Sequence, residues 1–446
     1  MTAFKAVPIG AAFEVRNGAT PASGEERFWD GEIPWVTPAD LGALTGRTLS
    51  CGRRSITLDG YASCGTQMVP AGSLILSTRA PVGHLAIAGT GICFNQGCRG
   101  LVPRRIIRSD FGYWALLAQK PTLEAAAQGT TFVELSTAKL RAERIPIPDL
   151  PIQKAIADFL DRETARIDQL IEKKERLVLI LEEKKRIAAI QCLSHGMSGL
   201  YWDNNTSAIR FLFEQPHWVE RTVKSLVRFM TSGSRGWSDL LGAEGEGFIQ
   251  SGNIGRRMDV DLNFAQRVQP QTGAEADRTL VKSGDVLVCI TGGRTGAVGF
   301  VREIGERAYI NQHVCLLRAD HRVILPELLA HLLWSEIGQK QIELCQYGVK
   351  QGLGFNEVAN IRIPVPPRDQ QSCILEDITR TTRSIDLVVE RIQQSGARLR
   401  ELRAALITAA VTGQIDVATW GKRGETDRRL EAIEQEMGAA REEVAV

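Results

Sequence analysis

A chain of 446 residues exceeds what one hydrophobic core supports and calls for about two to four domains. Hydrophobic residues at 43% and charged residues at 24% are ordinary for a folded chain, and no apolar run reaches the roughly 18 residues of a membrane span. Lys plus Arg total 54 and Asp plus Glu 52, a net charge of +2. That excludes wrapping nucleic acid through bulk charge, but not reading DNA with a few placed side chains.

Met1–Pro8 carries neither the basic nor the apolar region of a signal peptide, so a cytoplasmic location is expected. The nine cysteines are odd in number and scattered, with no C-x-x-C pair. Cys93 and Cys98 are the nearest two and no Cys/His pair completes a zinc site, so reduced, mostly buried thiols and no metal are expected.

In chain order, residues 1–150 are Gly-rich with short β-type runs such as Ser73–Ser77 and a helical stretch at Tyr113–Ala118. Arg144-Ile145-Pro146-Ile147-Pro148 then leads into 151–197, nearly free of Gly and Pro until Gly196, which reads as one long helix. Residues 198–367 form a second Gly-rich domain, with a strand at Asp285–Ile290 and a helix at Glu327–Trp334. Arg362-Ile363-Pro364-Val365-Pro366 leads into a second long helix, 368–418, with Gly413 at its end. The tail, 419–446, is expected to be solvated, with Arg428–Glu443 able to form a short charged helix.

The strongest signal is the repeat. An offset of 218 pairs the two Pro-rich exits, Gln153 with Gln371, and Ile167-Asp168 with Ile385-Asp386. At slightly smaller offsets Gly72-Ser73-Leu74-Ile75-Leu76 matches Gly284-Asp285-Val286-Leu287-Val288, and Phe94-Asn95-Gln96 matches Ile310-Asn311-Gln312. A period of this size is a duplicated domain, not a solenoid.

The second helix carries Ile378, Ile385, Ile392, Leu399 and Leu406 every seventh residue, with Ile374, Thr381, Val388, Ser395, Leu402 and Ala409 as the alternate row. The same offset puts Ile156, Leu160, Ile167, Leu170, Leu177, Leu181 and Ala188 in the first helix's seam, interrupted by Glu163, Lys174, Lys184 and Gln191. The interruptions suggest contact with something besides the partner helix. The expected fold class is α/β: two globular mixed α/β domains joined by two long helices. Those helices form an antiparallel coiled coil with pseudo-twofold symmetry, a rod of roughly 60 Å with a domain at each end.

Catalytic constellations are absent. Thr291-Gly292-Gly293-Arg294-Thr295-Gly296 lacks the Lys of a phosphate-binding loop, and there is no G-x-S-x-G or H-E-x-x-H. The six histidines do not cluster, and His313 beside Gln312 reads as a structural residue. The chain therefore binds and positions rather than catalyses. A coiled-coil scaffold with two protein-binding domains and an enzyme with an unrecognised site are the alternatives.

Phe28-Trp29-Asp30-Gly31-Glu32-Ile33-Pro34-Trp35-Val36-Thr37-Pro38-Ala39-Asp40-Leu41, Gly72–Ile87 with Phe94-Asn95-Gln96-Gly97, and the Ile-Pro-Ile/Val-Pro exits resemble the specificity subunit of type I restriction–modification systems. The resemblance covers residues 1 to about 418, and the second domain departs from it with Gly247-Phe248-Ile249 in place of Ile33-Pro34-Trp35-Val36. It implies two target-recognition domains, each reading half of a bipartite site in double-stranded DNA. It also implies helices that dock two modification (methyltransferase) subunits, with restriction (motor–nuclease) subunits joining for cleavage. The chain itself would hold no cofactor: S-adenosylmethionine, ATP and Mg would sit on the partners.

On that reading the expected DNA-binding residues are Arg79, Arg99, Thr130 and Thr131 in the first domain, and Arg294, Thr295, Lys350 and Gln351 in the second. They lie on turns and on the loops just before each exit. Asn95-Gln96 and Asn311-Gln312 are read as turn-bonding at least as readily as DNA-binding. Arg53-Arg54, Arg104-Arg105 and Arg256-Arg257 read as solvated faces or phosphate contacts.

Overall fold

The computed structural model describes residues 4–127, 134–193, 197–203, 208–214, 217–233, 236–346, 352–422 and 424–442. It divides into two compact units, Met1–Glu175 with Gln393–Val446, and Arg176–Ile392. Each long helix contributes one part to each unit.

In the first unit a five-stranded sheet runs in the order Phe13–Asn17, Cys98–Pro103, Leu74–Ser77, Leu85–Ala88, Thr48–Leu49. All pairs are antiparallel except the last. A smaller sheet places Trp29–Val36 between Arg54–Ile56 and Cys93–Phe94. The exit strand Arg144–Pro146 pairs with Ala6–Pro8.

The second unit repeats this wiring. Its main sheet runs Val227–Ser232, Val314–Ala319, Val286–Cys289, Val298–Phe300, all antiparallel. Its smaller sheet runs Leu241–Gly242, Gln266–Val268, Glu246–Ile249, Ala308–Ile310, again with one parallel pair. The exit strand Arg362–Val365 pairs with Val219–Thr222.

The central strands explain why Leu74-Ile75-Leu76 and Val286-Leu287-Val288 are apolar without alternation. Side chains alternate across a strand. Leu74 and Leu76 enter one core while Ile75 enters another. Val286 and Val288 likewise separate from Leu287. Both faces are covered, so every position is buried. Gly72 and Gly284 precede these strands with φ of +83° and +87°, a conformation that disfavours a side chain.

The matched glutamines hold each long helix to its domain. Fully buried Gln153 donates to the carbonyls of Ile106 and Pro148 and accepts from the Arg108 N–H. Gln371 donates to Val323 and Pro366 and accepts from Leu325. Three bonds to one buried amide leave little reason for any other residue at either position.

The helices span Leu150–Leu193, 44 residues, and Gln371–Val411, 41 residues. In the first unit Arg403 donates to Asp168 and Arg400 to Glu175, so the helices run antiparallel. In the second unit Lys185 donates to both oxygens of Asp386 at 2.7 Å. Asp168 and Asp386 are repeat mates, as are Lys185 and Arg403, so the repeat carries one ion pair onto the other.

The seam departs from the expected rows in places. Ile156, Leu160, Ile167, Ile378, Ile392, Leu399 and Leu406 are buried as expected. Leu177 is 43% exposed, and Lys185, Ala189, Thr382 and Val389 are buried where Lys184, Ala188, Thr381 and Val388 were expected. A straight helix turns once per 3.6 residues, so a strict seven-residue count drifts by about 20° per heptad.

The tail is not a solvated appendage over its described length. Val417–Lys422 and Glu425–Glu442 are helical. Leu430 is buried in the first unit's core, with Trp420, Ile433, Leu170 and Ile171 beside it. Arg166 pairs with Asp427 and Lys174 with Glu434 at 2.7 Å. The Lys174 that interrupts the seam therefore faces this helix.

All nine cysteines are free and five are buried.

Candidate nucleic-acid interface

Each globular domain brings the same three segments together. The first is the turn after the central strand, 78–84 in one domain and 291–296 in the other. The second is the Asn-Gln turn. The third is the segment just before the exit helix.

Backbone bonds fix this meeting in both copies. Leu135 N–H donates to Thr78 O at 2.8 Å, and Leu353 N–H to Ile290 O at 2.7 Å. Arg79 bridges to Glu134, and Thr291 to Gly352. Thr78 N–H donates to Gly97 O and Ile290 N–H to His313 O. The side chains of Asn95 and Asn311 each accept from the backbone N–H two residues on, at 3.0 Å. Asn95 and Asn311 are thus turn-formers. Gln96, between Asn95 and Gly97, is exposed and accepts from the Thr20 hydroxyl at 2.5 Å.

Of the eight residues expected to touch DNA, Thr130, Thr131, Lys350 and Gln351 lie outside the described residues. The segments immediately after them are the ones pinned to the turns, so the chain arrives at equivalent places in the two domains.

The other four divide by how their polar groups are engaged. The Arg79 side chain is 47% exposed and pairs with Glu134 at 3.2 Å. Arg99 is only 12% exposed. It donates to the Thr137 hydroxyl and to the carbonyls of Gln96 and Cys98, each at 2.8 Å. Burial lowers its proton affinity, Glu134 opposes that, and the charge of Arg79 adds to it. Arg99 therefore braces the site from inside. Arg294 is exposed, with Nη1 donating to Ile254 O at 2.6 Å. It edges a cleft of about 560 Å³ with Glu183, Arg186, Arg256 and Trp334. Thr295 donates its hydroxyl to Gly292 O at 2.7 Å and closes its own turn.

Sequence reasoning missed two participants. Glu134 faces both Arg79 and Arg99, at 3.2 and 3.8 Å. Thr291 is hydrogen-bonded to His313 Nδ1, whose Nε2 lies 3.1 Å from Gln312 Nε2. A signal for both was present: Leu135 and Leu353 obey the same offset of 218 and mark where the third segment docks.

The arginine pairs differ among themselves. Arg54 stacks 3.5 Å from the Trp29 ring centroid, Arg53 lies 3.7 Å from Asp40, and Arg257 lies 3.3 Å from Glu182. Arg104 and Arg105 are exposed. No group of metal-ligating side chains occurs among the described residues, nor any helix long and apolar enough to cross a membrane.

Comparison with known proteins places this architecture. Residues 1–179 match the family described as type I restriction modification DNA specificity domain. The chain is 34% identical over 172 residues to the type I restriction enzyme MjaIX specificity subunit of Methanocaldococcus jannaschii, covering 38% of this chain and 39% of that one. It is 22% identical over 318 residues to the EcoBI specificity subunit of Escherichia coli, covering 70% and 66%. It thus spans less than two thirds of the length of these curated relatives. A solved chain from work on complex assembly and conformational transition of a type I R-M system shares the fold. That match has a TM-score of 0.55 at 14% identity, over 93% of this chain and 99% of that one. Residues 1–179 are thus similar to the type I restriction modification DNA specificity domain, and the chain shares the fold of a solved type I R-M chain.

Proposed function

We propose that this chain is the DNA sequence-specificity subunit of a type I restriction–modification complex and is not itself catalytic. Each globular domain reads one half of a bipartite site in double-stranded DNA. The long helices dock two modification subunits, which bring S-adenosylmethionine and methyl transfer. Restriction subunits, with ATP and Mg, join for cleavage. A cytoplasmic location follows from such a role.

The observation that carries this reading is the duplicated convergence of turn, Asn-Gln turn and pre-exit segment. A rigid backbone frame that presents exposed Arg79 in one copy and exposed Arg294 in the other suits readout of two unlike half-sites. Exposed Leu177, Leu179, Ile180 and Ile187 on the first helix supply apolar area for helix docking by a partner. The scaffold alternative gives no reason for such paired presentation.

The test is co-expression with the cognate modification subunits, followed by methylation mapping and duplex binding at several salt concentrations. The reading predicts a split methylated motif and binding that weakens steeply with salt. A complex that assembles but neither methylates nor binds duplex DNA contradicts it. Methylation by the isolated chain contradicts its non-catalytic role.

A further inference from the structure

The Arg79 turn carries one more feature that bears on discrimination. Glu134 is the first described residue after 128–133, and it faces two guanidinium groups at once. Arg99 is held by three further bonds, so its position does not depend on Glu134. Arg79 is different. It is half exposed, and its nearest contact with Glu134 is through Nε. A carboxylate on the Nε side sets the direction of the planar group and leaves the terminal nitrogens as its outer edge. That edge is the fork that pairs bidentately with guanine O6 and N7.

The same carboxylate lies against the path of a phosphate. An arginine with no acidic neighbour takes any phosphate within reach, whatever the sequence. With Glu134 at 3.2 Å, a phosphate approaching Arg79 meets a like charge, whereas a guanine edge is neutral. The second domain has no such carboxylate at the equivalent place. Thr291 and Gly352 form the bridge there, and Thr291 is tied to His313.

We propose that Glu134 is a specificity-determining positioning residue: it holds Arg79 for base readout and suppresses its use as a phosphate contact. This rests on the DNA-reading role proposed above. In this protein Glu134 lowers non-specific affinity more than it changes affinity for the correct site.

The test uses the full complex with modification subunits, carrying Glu134→Gln, which keeps shape and removes charge. Non-specific duplex affinity should rise about three- to tenfold. The slope of log affinity against log salt on non-specific duplex should steepen by about one unit, for one added phosphate contact. The methylation map should show relaxed bases in one half-site only. In the double variant Arg79→Gln/Glu134→Gln the rise in non-specific affinity should vanish, because no guanidinium remains to be released. The inference is overturned if Glu134→Gln leaves both the specific-to-non-specific ratio and the salt slope unchanged, or if the double variant keeps the rise. If Glu134→Gln does not assemble, Glu134→Asp with its charge kept must preserve the wild-type ratio, and a lowered ratio there counts against the inference. Absence of duplex binding by the wild-type complex would instead refute the DNA-reading role, so the two failures are distinct.

Discussion

The two globular domains share their strand order and their anchoring bonds, yet they fill equivalent places with different chemistry. After Gly72 the first domain buries Ser73, whereas after Gly284 the second buries Asp285, locked to Arg318 by bonds of 2.8 and 2.7 Å. Trp29 and Trp35 pack edge to face in the first small sheet, whereas Trp237, Phe248 and Tyr309 cluster in the second. The turn is held by an ion pair in one copy and by a threonine–histidine bond in the other. What both retain is carried by backbone groups, by glycines at positive φ, by the turn-forming asparagine and by one buried glutamine. A frame defined this way tolerates change in its side chains, as the proposed reading of two unlike half-sites requires.

The largest asymmetry should appear at the buried ion pair. Arg318→Ala leaves Asp285, 1% exposed, without its partner, and should destabilise the second unit by about 3–5 kcal/mol. Ser73→Ala at the equivalent place should change the first unit by less than about 1 kcal/mol. Thermal unfolding monitored separately for the two units reads this difference, and equal losses would break the comparison.

The shared element should respond symmetrically. Gln153→Ala and Gln371→Ala each strand buried backbone groups and should each cost about 2–4 kcal/mol. A loss at one site alone would mean that the two helix anchors are not equivalent.

The tail gives a difference in packing. Leu430→Ala should cost about 2 kcal/mol in the first unit, because Leu430 belongs to its core. The half-exposed Arg166–Asp427 pair should contribute about 0–1 kcal/mol, so Asp427→Asn should be nearly silent.

Acid separates the units in another way. Burial pushes the His331 imidazole of the second unit down to about 3, with Arg302 and Lys185 adding to the shift. Its ordinary value is 6.5. Between these values the unfolded chain binds a proton that the folded one does not, so stability falls as pH drops below about 6.5. By pH 5 the second unit should have lost about 2 kcal/mol. His331→Leu should flatten that dependence in denaturant titrations at pH 5 and 7, and an unflattened curve would assign the acid sensitivity elsewhere.

Much of this organisation was legible in the sequence because duplication displays it twice. The offset of 218 located both exits, both long helices and the Gln153–Gln371 pair, and burial explains why those residues recur. Strand order was not legible, because pairing such as Phe13–Asn17 with Cys98–Pro103 depends on contacts far apart in sequence. The packing of the tail was not legible either, because its charges face outward while Leu430 and Ile433 face inward, a pattern too short to separate from a solvated helix. Arg99 and Arg79 look alike in sequence, and only their surroundings divide a buried brace from an exposed guanidinium.

The central claim is that each domain reads one half of the site through its own turn. Methylation mapping of cells carrying the full complex with either Arg79→Ala or Arg294→Ala tests it most directly. The account predicts that each variant relaxes one half of a split motif, that the two variants affect opposite halves, and that the spacing between the halves is unchanged. An unchanged motif in both variants, or the same half altered by both, would contradict it.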